Sequence, residues 1–572
     1  ICSFLPLYLA PASVAEIVKP LFVVLAVSLG LSWILALCQT TTFGNFILKE
    51  AVPGGAMKDP YDTKLYHKFE KFLTLLIKRR FVTLTTVFVT LVLSLVIMAV
   101  MPQSFFPKMN KPYFRADLVF PEGFSIHAVD QDVMKVEDYL KNHEKVKSYS
   151  VTLGGTPLRY YLASSSFGPK SNYANVMVET KDPEDAAEVE QQFYEHMTQN
   201  FPNIITRSAL FALSPVPEAA IEIGFIGENP DTLTALVERA KKIARQCDMV
   251  TDIRSNWGDK VPVWKPMFSQ QKGLRLGITR QQVANSFRTA TNGLPLGEYR
   301  EGDVSLPILL KDEDVEKMNL NDVKSVPVFS TKGNSVKVEQ VIDNFALGYD
   351  YNVVRRFNRE RCMMMQCEPK RGANTMAAFK QVLTAVQEQM QLPEGYKMKY
   401  FGEQETQDVS NAALAKNIPL TFLLIYVVLL FLFPSNYRKP VLIMLMLPLV
   451  FIGVVWGLLL FGKSLDFFAI LGLLGLIGMN IKNAIVLVDE IGLQLKDGKG
   501  AVPAVVEATK TRIVPVTMAS GTTILGMLPL LGDAMFAGMA ATIMGGLFVS
   551  TVLTIFVLPV TYCIFFKIRA DR

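Results

Sequence analysis

One lysine stands where a lysine is costly. Lys482 sits within Gly478-Met-Asn-Ile-Lys-Asn-Ala-Ile-Val-Leu-Val-Asp-Glu490, after fifteen uncharged residues and ahead of a further apolar run. At the centre of a membrane helix a Lys costs about 2.5 to 3.5 kcal/mol, so it needs a compensating partner or a water-lined cavity. Snorkelling is the alternative, because Asp489 follows after only seven residues, about 10 Å of helix. Gly478, Lys482 and Asp489 share one helix face by their i, i+4, i+11 spacing, which suits an interior-facing stripe. The next apolar run opens with Lys510-Thr-Arg512-Ile-Val-Pro515-Val-Thr517-Met-Ala-Ser520-Gly-Thr-Thr523. Its small and hydroxylated residues let helices approach closely and can bridge protons. Taken singly, Arg512 is an ordinary interface anchor, and Thr517 or Ser520 equally well bonds its own backbone.

Other site chemistries are poorly supplied. The six cysteines, Cys2, Cys38, Cys247, Cys362, Cys367 and Cys563, lie far apart, and the closest two are an odd number apart on an expected strand, pointing to opposite faces. Neither a disulfide framework nor a zinc site follows. His67, His127, His143 and His196 share no ligand spacing, and no hydrolytic site is expected. A net charge of +6 over 572 residues is too dilute for a nucleic-acid footprint. Half of the residues are hydrophobic and 19% charged, with mean hydropathy +0.27, which argues against a purely soluble chain.

Those residues must be held by membrane helices. A bilayer core of roughly 30 Å takes about 20 apolar residues as helix, and seven stretches pass or nearly pass: 21–38, 81–101, 417–434, 441–462, 467–488, 513–531 and about 543–566. Residues 1–15 are also uncharged and carry neither an initiating Met nor a signal-peptide pattern, so they read as the tail of another crossing in a chain that begins inside a larger protein. Lys49, Lys58, Lys64, Lys68, Lys71, Lys78, Arg79 and Arg80 place residues 41–80 in the cytoplasm, and alternation then orients every later loop consistently. Within that loop Leu65, Phe69, Phe72 and Leu76 recur at helical spacing among lysines, the pattern of a helix in the headgroup plane or of one buried against soluble protein.

Residues 102–415 are soluble in character and fall outside. They show a repeated strand, helix, strand cadence: 114–120, 129–142 and 147–153; then 174–179 and 183–200; then 220–226 and 232–247; then 362–368, 375–390 and 397–401. Four such units make two ferredoxin-like split βαβ sandwiches. An insertion, roughly 258–349, carries its own helix at 279–291 and strands at 304–310 and 336–341. The fold class expected is therefore a polytopic α-helical membrane domain with a large α+β domain. Its parts are one crossing and the end of another (1–40), a cytoplasmic loop (41–80), a crossing (81–101), the outer domain (102–257 and 350–415) around its insertion, five crossings (416–567) and a tail (568–572).

The run Gly478 to Ile485, followed by Val505-Val-Glu-Ala-Thr-Lys-Thr-Arg-Ile-Val-Pro515 and Met518-Ala-Ser520, resembles the C-terminal half of the resistance-nodulation-division (RND) efflux transporters, AcrB type. The likeness covers essentially the whole chain, through Phe105-Phe-Pro, Pro121-Glu-Gly123, Leu274-Arg-Leu-Gly-Ile-Thr279 and Leu392-Pro-Glu-Gly395. It implies a homotrimeric pump of the Gram-negative inner membrane. Its periplasmic porter subdomains would bind hydrophobic or amphiphilic compounds and pass them to an adaptor and an outer-membrane channel, with the insertion as a docking subdomain used for contacts. Proton entry would drive it, with no cofactor. By the same resemblance Lys482 matches the relay lysine, Asn483 its neighbour and Arg512 the arginine of the following span. Where the family carries a threonine this chain has Ala519, leaving Thr517 or Ser520 as substitutes. The family's paired proton-binding acids lie on a span upstream of Ile1.

The loop Tyr160-Tyr161-Leu-Ala-Ser-Ser-Ser-Phe167-Gly168-Pro-Lys170, with Tyr173 just beyond, resembles in place the family's Gly- and Phe-rich switch loop. Its aromatics suit varied apolar ligands and Gly168 permits movement; an ordinary surface loop with core tyrosines is the other reading. Cys362-Met-Met-Met-Gln-Cys367 raises a metal-exporting branch through soft sulfur ligands, against packing methionines on a strand. A non-transporting membrane scaffold or receptor of the same fold remains a further alternative.

Overall fold

Hydropathy divides the chain before topology does. The computed structural model describes residues 2–9, 13–47, 63–104, 109–158, 169–211, 218–312, 322–330, 333–434 and 436–568. Among these, seven helices are long and apolar enough to cross a membrane. The chain forms two units, Ile1–Asn256 with Arg355–Arg572, and Trp257–Val354.

In the first unit a 3-10 turn (Cys2–Phe4) and a five-residue helix (Leu5–Leu9) stand where the tail of a crossing was expected. Helix α1 (Ser13–Ile47) follows, then α2 (Lys64–Lys78) and α3 (Arg80–Val100). On α2 the stripe Phe69, Leu73 and Ile77 is buried.

The outer part begins with β1 (Tyr113–Val119), α4 (Ile126–Lys141), β2 (Val146–Leu153), β3 (Tyr173–Thr180), α5 (Ala186–Asn200) and β4 (Ile205–Leu210). They form one antiparallel sheet in the order β2-β3-β1-β4, the ferredoxin-like arrangement. Strand β1 alternates, sending Phe114, Ala116 and Leu118 to the core. Val129, Val133, Val136 and Leu140 answer from α4 at helical spacing, and Val189, Phe193 and Met197 from α5. Ser125 caps α4 by accepting from the Ala128 N–H at 3.3 Å.

A second set opens with β5 (Ile221–Ile226), α6 (Pro230–Ala244) and β6 (Val250–Ser255). Asn229 caps α6, taking the Asp231 N–H at 2.8 Å, with Pro230 in the first turn where its missing N–H costs nothing. The second unit interrupts here. It contains β7 (Lys260–Phe268), α7 (Arg280–Thr289), β8 (Leu294–Glu301), β9 (Val304–Leu310) and β10 (Ile342–Tyr351). Strands β7 and β10 pair, as do β8 and β9, and a capping box between Thr279 and Gln282 starts α7. The strand expected over 336–341 is not one element. Ser335–Lys337 is extended, and Val338–Gln340 turns as a 3-10 helix. Val338 and Val341 are both fully buried, and a spacing of three puts them on one side of a turn but on opposite faces of a strand.

The chain then completes the second sheet with β11 (Glu360–Pro369), α8 (Thr375–Gln389) and β12 (Lys397–Gly402), in the order β6-β11-β5-β12. All six residues of the central β5 are buried. Arg371 ties the two sheets together: its guanidinium pairs with Glu190, donates to Ser208 Oγ at 2.9 Å and lies 4.3 Å from the Tyr194 ring centre.

Five of the long apolar stretches follow: α9 (Glu403–Leu432), the broken pair α10 (Arg438–Leu445) and α11 (Val450–Leu460), α12 (Phe467–Lys496), α13 (Ala501–Met527) and α14 (Ala537–Phe565). Helix α14 is the hub, packing on α11, α12 and α13. Small residues let it approach: a Cβ at Gly545 would stand 2.4 Å from the Gly457 Cα and 2.8 Å from the Gly453 carbonyl oxygen.

Candidate functional site

Helix α12 starts where Asp466 accepts from the Ala469 N–H at 2.6 Å. Glycines along it admit close neighbours. A Cβ at Gly475 would meet the Phe4 ring at 3.1 Å, and one at Gly478 the Ser3 hydroxyl at 3.1 Å. The turn Cys2–Phe4 therefore covers this face as far as Gly478. One helical turn further on, Lys482 is exposed, with no hydrogen-bond or ion-pair partner among the described residues. It lies fifteen residues after Phe467 and fourteen before Lys496, about 22 Å of helix from the start. That is the middle of the helix, with Asp489 seven residues, about 10 Å, further on. Ile481 and Asn483, its sequence neighbours, are buried.

Behind that face, three helices share a buried polar chain. Asn483 on α12 donates its Nδ2–H to Ser520 Oγ on α13 at 3.3 Å. Ser520 Oγ lies 2.6 Å from Thr551 Oγ1 on α14, which is also 2.6 Å from the Leu547 carbonyl. A threonine hydroxyl has one proton. If the Leu547 carbonyl takes it, Ser520 donates to Thr551, and a run of donors points one way across the bundle. All three side chains are at most 7% exposed.

Arg512 is paired elsewhere than with Lys482. Its Nε donates to Glu490 Oε2 at 3.0 Å and its Nη2 reaches the same oxygen, while Gln494 donates to Oε1 at 2.8 Å. The Glu490 side chain is 9% exposed against 39% for Arg512. The pair locks the last third of α12 to the first half of α13. Thr517 is exposed and returns its proton to the Ile513 carbonyl of its own helix at 2.7 Å. Of the sequence candidates, then, Asn483 and Ser520 meet directly, Arg512 joins α12 through Glu490, and Lys482 and Thr517 stand apart from that network. Glu490 and Thr551 went unnoticed in the sequence. Glu490 carried a signal, being a second acid at the end of an apolar run; Thr551 carried none, since its hydroxyl resembles any other in a crossing.

In the outer part, Tyr160, Tyr161, Phe167 and Gly168 lie outside the described residues. The stems of their loop are joined: the Lys170 N–H donates to the Gly154 carbonyl at 2.9 Å, and the Gly154 N–H to that of Tyr173 at 2.8 Å. Tyr173 is 3% exposed, and its hydroxyl donates to Asp117 Oδ1 at 2.6 Å, an oxygen that also takes the Asn175 amide at 2.8 Å. Burial, reinforced by the Asp117 charge, pushes the phenol well above its usual range. Cys362 and Cys367 are both buried on β11, and burial pushes their thiols up to about 11 and about 12.

Comparison with known proteins adds an independent line. The family model described as AcrB/AcrD/AcrF matches residues 1–566. The nickel and cobalt resistance protein CnrA of Cupriavidus metallidurans is 27% identical over 61% of this chain and 33% of its own length. The multidrug export protein AcrF of Escherichia coli K12 is 24% identical over 81% of this chain and 46% of its own. A crystal structure of a heavy metal efflux pump superposes with a TM-score of 0.71 at 18% identity, covering 87% of this chain and 51% of that one. The chain spans between a third and about half of the length of the curated relatives it matches.

Proposed function

The chain belongs to the AcrB/AcrD/AcrF family of RND transporters, secondary active transporters rather than enzymes, and from that premise we propose that it serves proton-driven export of hydrophobic or amphiphilic compounds. In this reading it forms part of a homotrimeric pump in a Gram-negative inner membrane, working with a periplasmic adaptor and an outer-membrane channel. The proton motive force supplies the energy and no cofactor is needed.

One observation carries the reading: an exposed ammonium, Lys482, inside the apolar run 467–488 of α12, without a partner among the described residues. Lipid cannot face that charge cheaply. A carboxylate from outside these 572 residues is the group that would answer it. Protonating that carboxylate weakens the attraction, α12 repacks against α13 and α14 through the Asn483–Ser520–Thr551 chain, and the outer sheets follow. The driving term suffices, since one charge crossing the membrane releases about 2.3 kcal/mol per 100 mV. Arg512 acts in this scheme by bracing α12 against α13 through Glu490.

The test is Lys482→Met in the complete transporter, reconstituted in vesicles with an imposed pH gradient. Expected is normal trimer yield with loss of both ethidium export and the accompanying proton flux. Export at the wild-type rate would sink the role of Lys482, and a wild type without proton flux would favour the scaffold reading.

A metal-exporting reading is supported by the likeness to CnrA and by Met363, Met364 and Met365 on β11. Cys362 and Cys367, an odd number of residues apart on that strand, point to opposite faces and so do not make a shared pair of ligands. Export of nickel or cobalt ions but not of ethidium from the same vesicles would establish it.

A further inference from the structure

The helix before the second crossing carries a charge pattern that transport leaves unused. α2 buries Phe69, Leu73 and Ile77, and the rings of Phe69 and Phe72 lie 5.6 and 5.5 Å from that of Phe556 on α14. At about 100° per residue, Lys64, Lys68, Lys71 and Lys78 fall within one arc of roughly 80° directly opposite Leu73. Arg79 follows the last of them. None of these five cations has an ion-pair partner among the described residues. Lys71, Lys78 and Arg79 border an open cleft of about 540 Å³ in which Glu70 is the single carboxylate. On the flank between the lysine arc and the buried stripe, Leu65 and Phe72 are 72% and 51% exposed.

Position decides what such a helix meets. Only Arg79 separates α2 from Arg80, the first residue of the α3 crossing, so α2 is held within one residue of the bilayer. Phe556, against which it packs, lies nine residues inside the end of α14, about 14 Å of helix. An apolar flank at that depth faces acyl chains while the adjoining cations face the headgroup layer. A purely zwitterionic surface leaves five cations without counter-charge; an anionic one supplies it.

We propose that the cationic arc of α2 is a binding site for anionic phospholipid headgroups, with Leu65 and Phe72 against the acyl chains. Each cation near an anionic surface strengthens attraction by about 1 kcal/mol, roughly five-fold, so removing three lysines lowers the preference by at least ten-fold even if each counts for half of that. This inference rests on the membrane crossing alone and stands or falls independently of what is transported.

The experiment is native mass spectrometry of the intact transporter in detergent, offered equal phosphatidylglycerol and phosphatidylcholine. Wild type is expected to retain phosphatidylglycerol at least ten-fold over phosphatidylcholine. Lys64→Gln, Lys68→Gln and Lys71→Gln together should bring the two lipids to within about three-fold, and the same three changes to Arg should restore the preference. Rising salt should erode it in the wild type without any substitution. Equal retention by the wild type, or an undiminished preference in the Gln variant, overturns the site. So does loss of a co-purifying acidic protein from the Gln variant with lipid retention unchanged, because the arc would then be a protein-docking surface.

Discussion

Glu222 makes the stability of the second outer sheet depend on pH, with a sign and size that the structure sets. The residue lies on the central strand β5 and is 7% exposed. Burial lifts its carboxyl from the ordinary 4.5 to about 7, opposed by the Gln366 amide at 2.8 Å and the Ala219 N–H at 3.1 Å and aided by the charge of Glu218. Between those two values the folded form holds a proton that the unfolded form releases, so stability falls as pH rises through the window and is level above it. The gap, at 1.36 kcal/mol per pH unit, amounts to about 3 kcal/mol. Glu222→Gln keeps an oxygen for both donors and removes the titration. Hydrogen exchange of the β5, β11 and β12 amides, compared between variant and wild type from pH 4 to 8, reads the difference. It should be constant below about 4.5, grow in favour of the variant up to about pH 7, and then stay flat. A difference that ignores pH, or one that shrinks as pH rises, would refute the reasoning.

Two further substitutions probe the membrane helices. Gly545→Leu drives a side chain into the Gly457 and Gly453 backbone, atoms that cannot turn aside; with a cost above the usual 1 to 3 kcal/mol of overpacking, the folded peak in detergent size exclusion should largely disappear, and an unchanged peak would mean that α11 and α14 do not cross there. Arg512→Gln and Glu490→Gln, alone and together, should show a coupling of about 1 to 2 kcal/mol in thermal unfolding, because each single change leaves the other charge unanswered; additive effects would remove the brace between α12 and α13.

Several features were legible because they are properties of short windows. Charge-free runs became long apolar helices, and the strand and helix alternation of the outer part became two sheets with helices upon them. The closing strands β4 and β6, short and weakly alternating, were not separable from loop. The segment 336–341 misled because Val336 and Val338, alternating with Lys337, favour a strand locally, while its core contacts required a turn. In the candidate site, Lys482 announced itself by the cost of its surroundings. Arg512 did not reveal its partner, since Glu490 lies twenty-two residues earlier on a different helix.

By itself the sequence determined which runs are long and apolar enough to cross a membrane, which side chains alternate toward a core, and that one ammonium lies in an apolar run, since hydration and backbone periodicity act residue by residue along the chain. Tertiary structure alone decided that Asn483, Ser520 and Thr551 form one hydrogen-bonded chain, that Glu490 holds Arg512, and that Lys482 is left facing outward. Those outcomes depend on how α12, α13 and α14 rotate and approach one another, a geometry fixed by glycine contacts and buried surfaces distant in sequence.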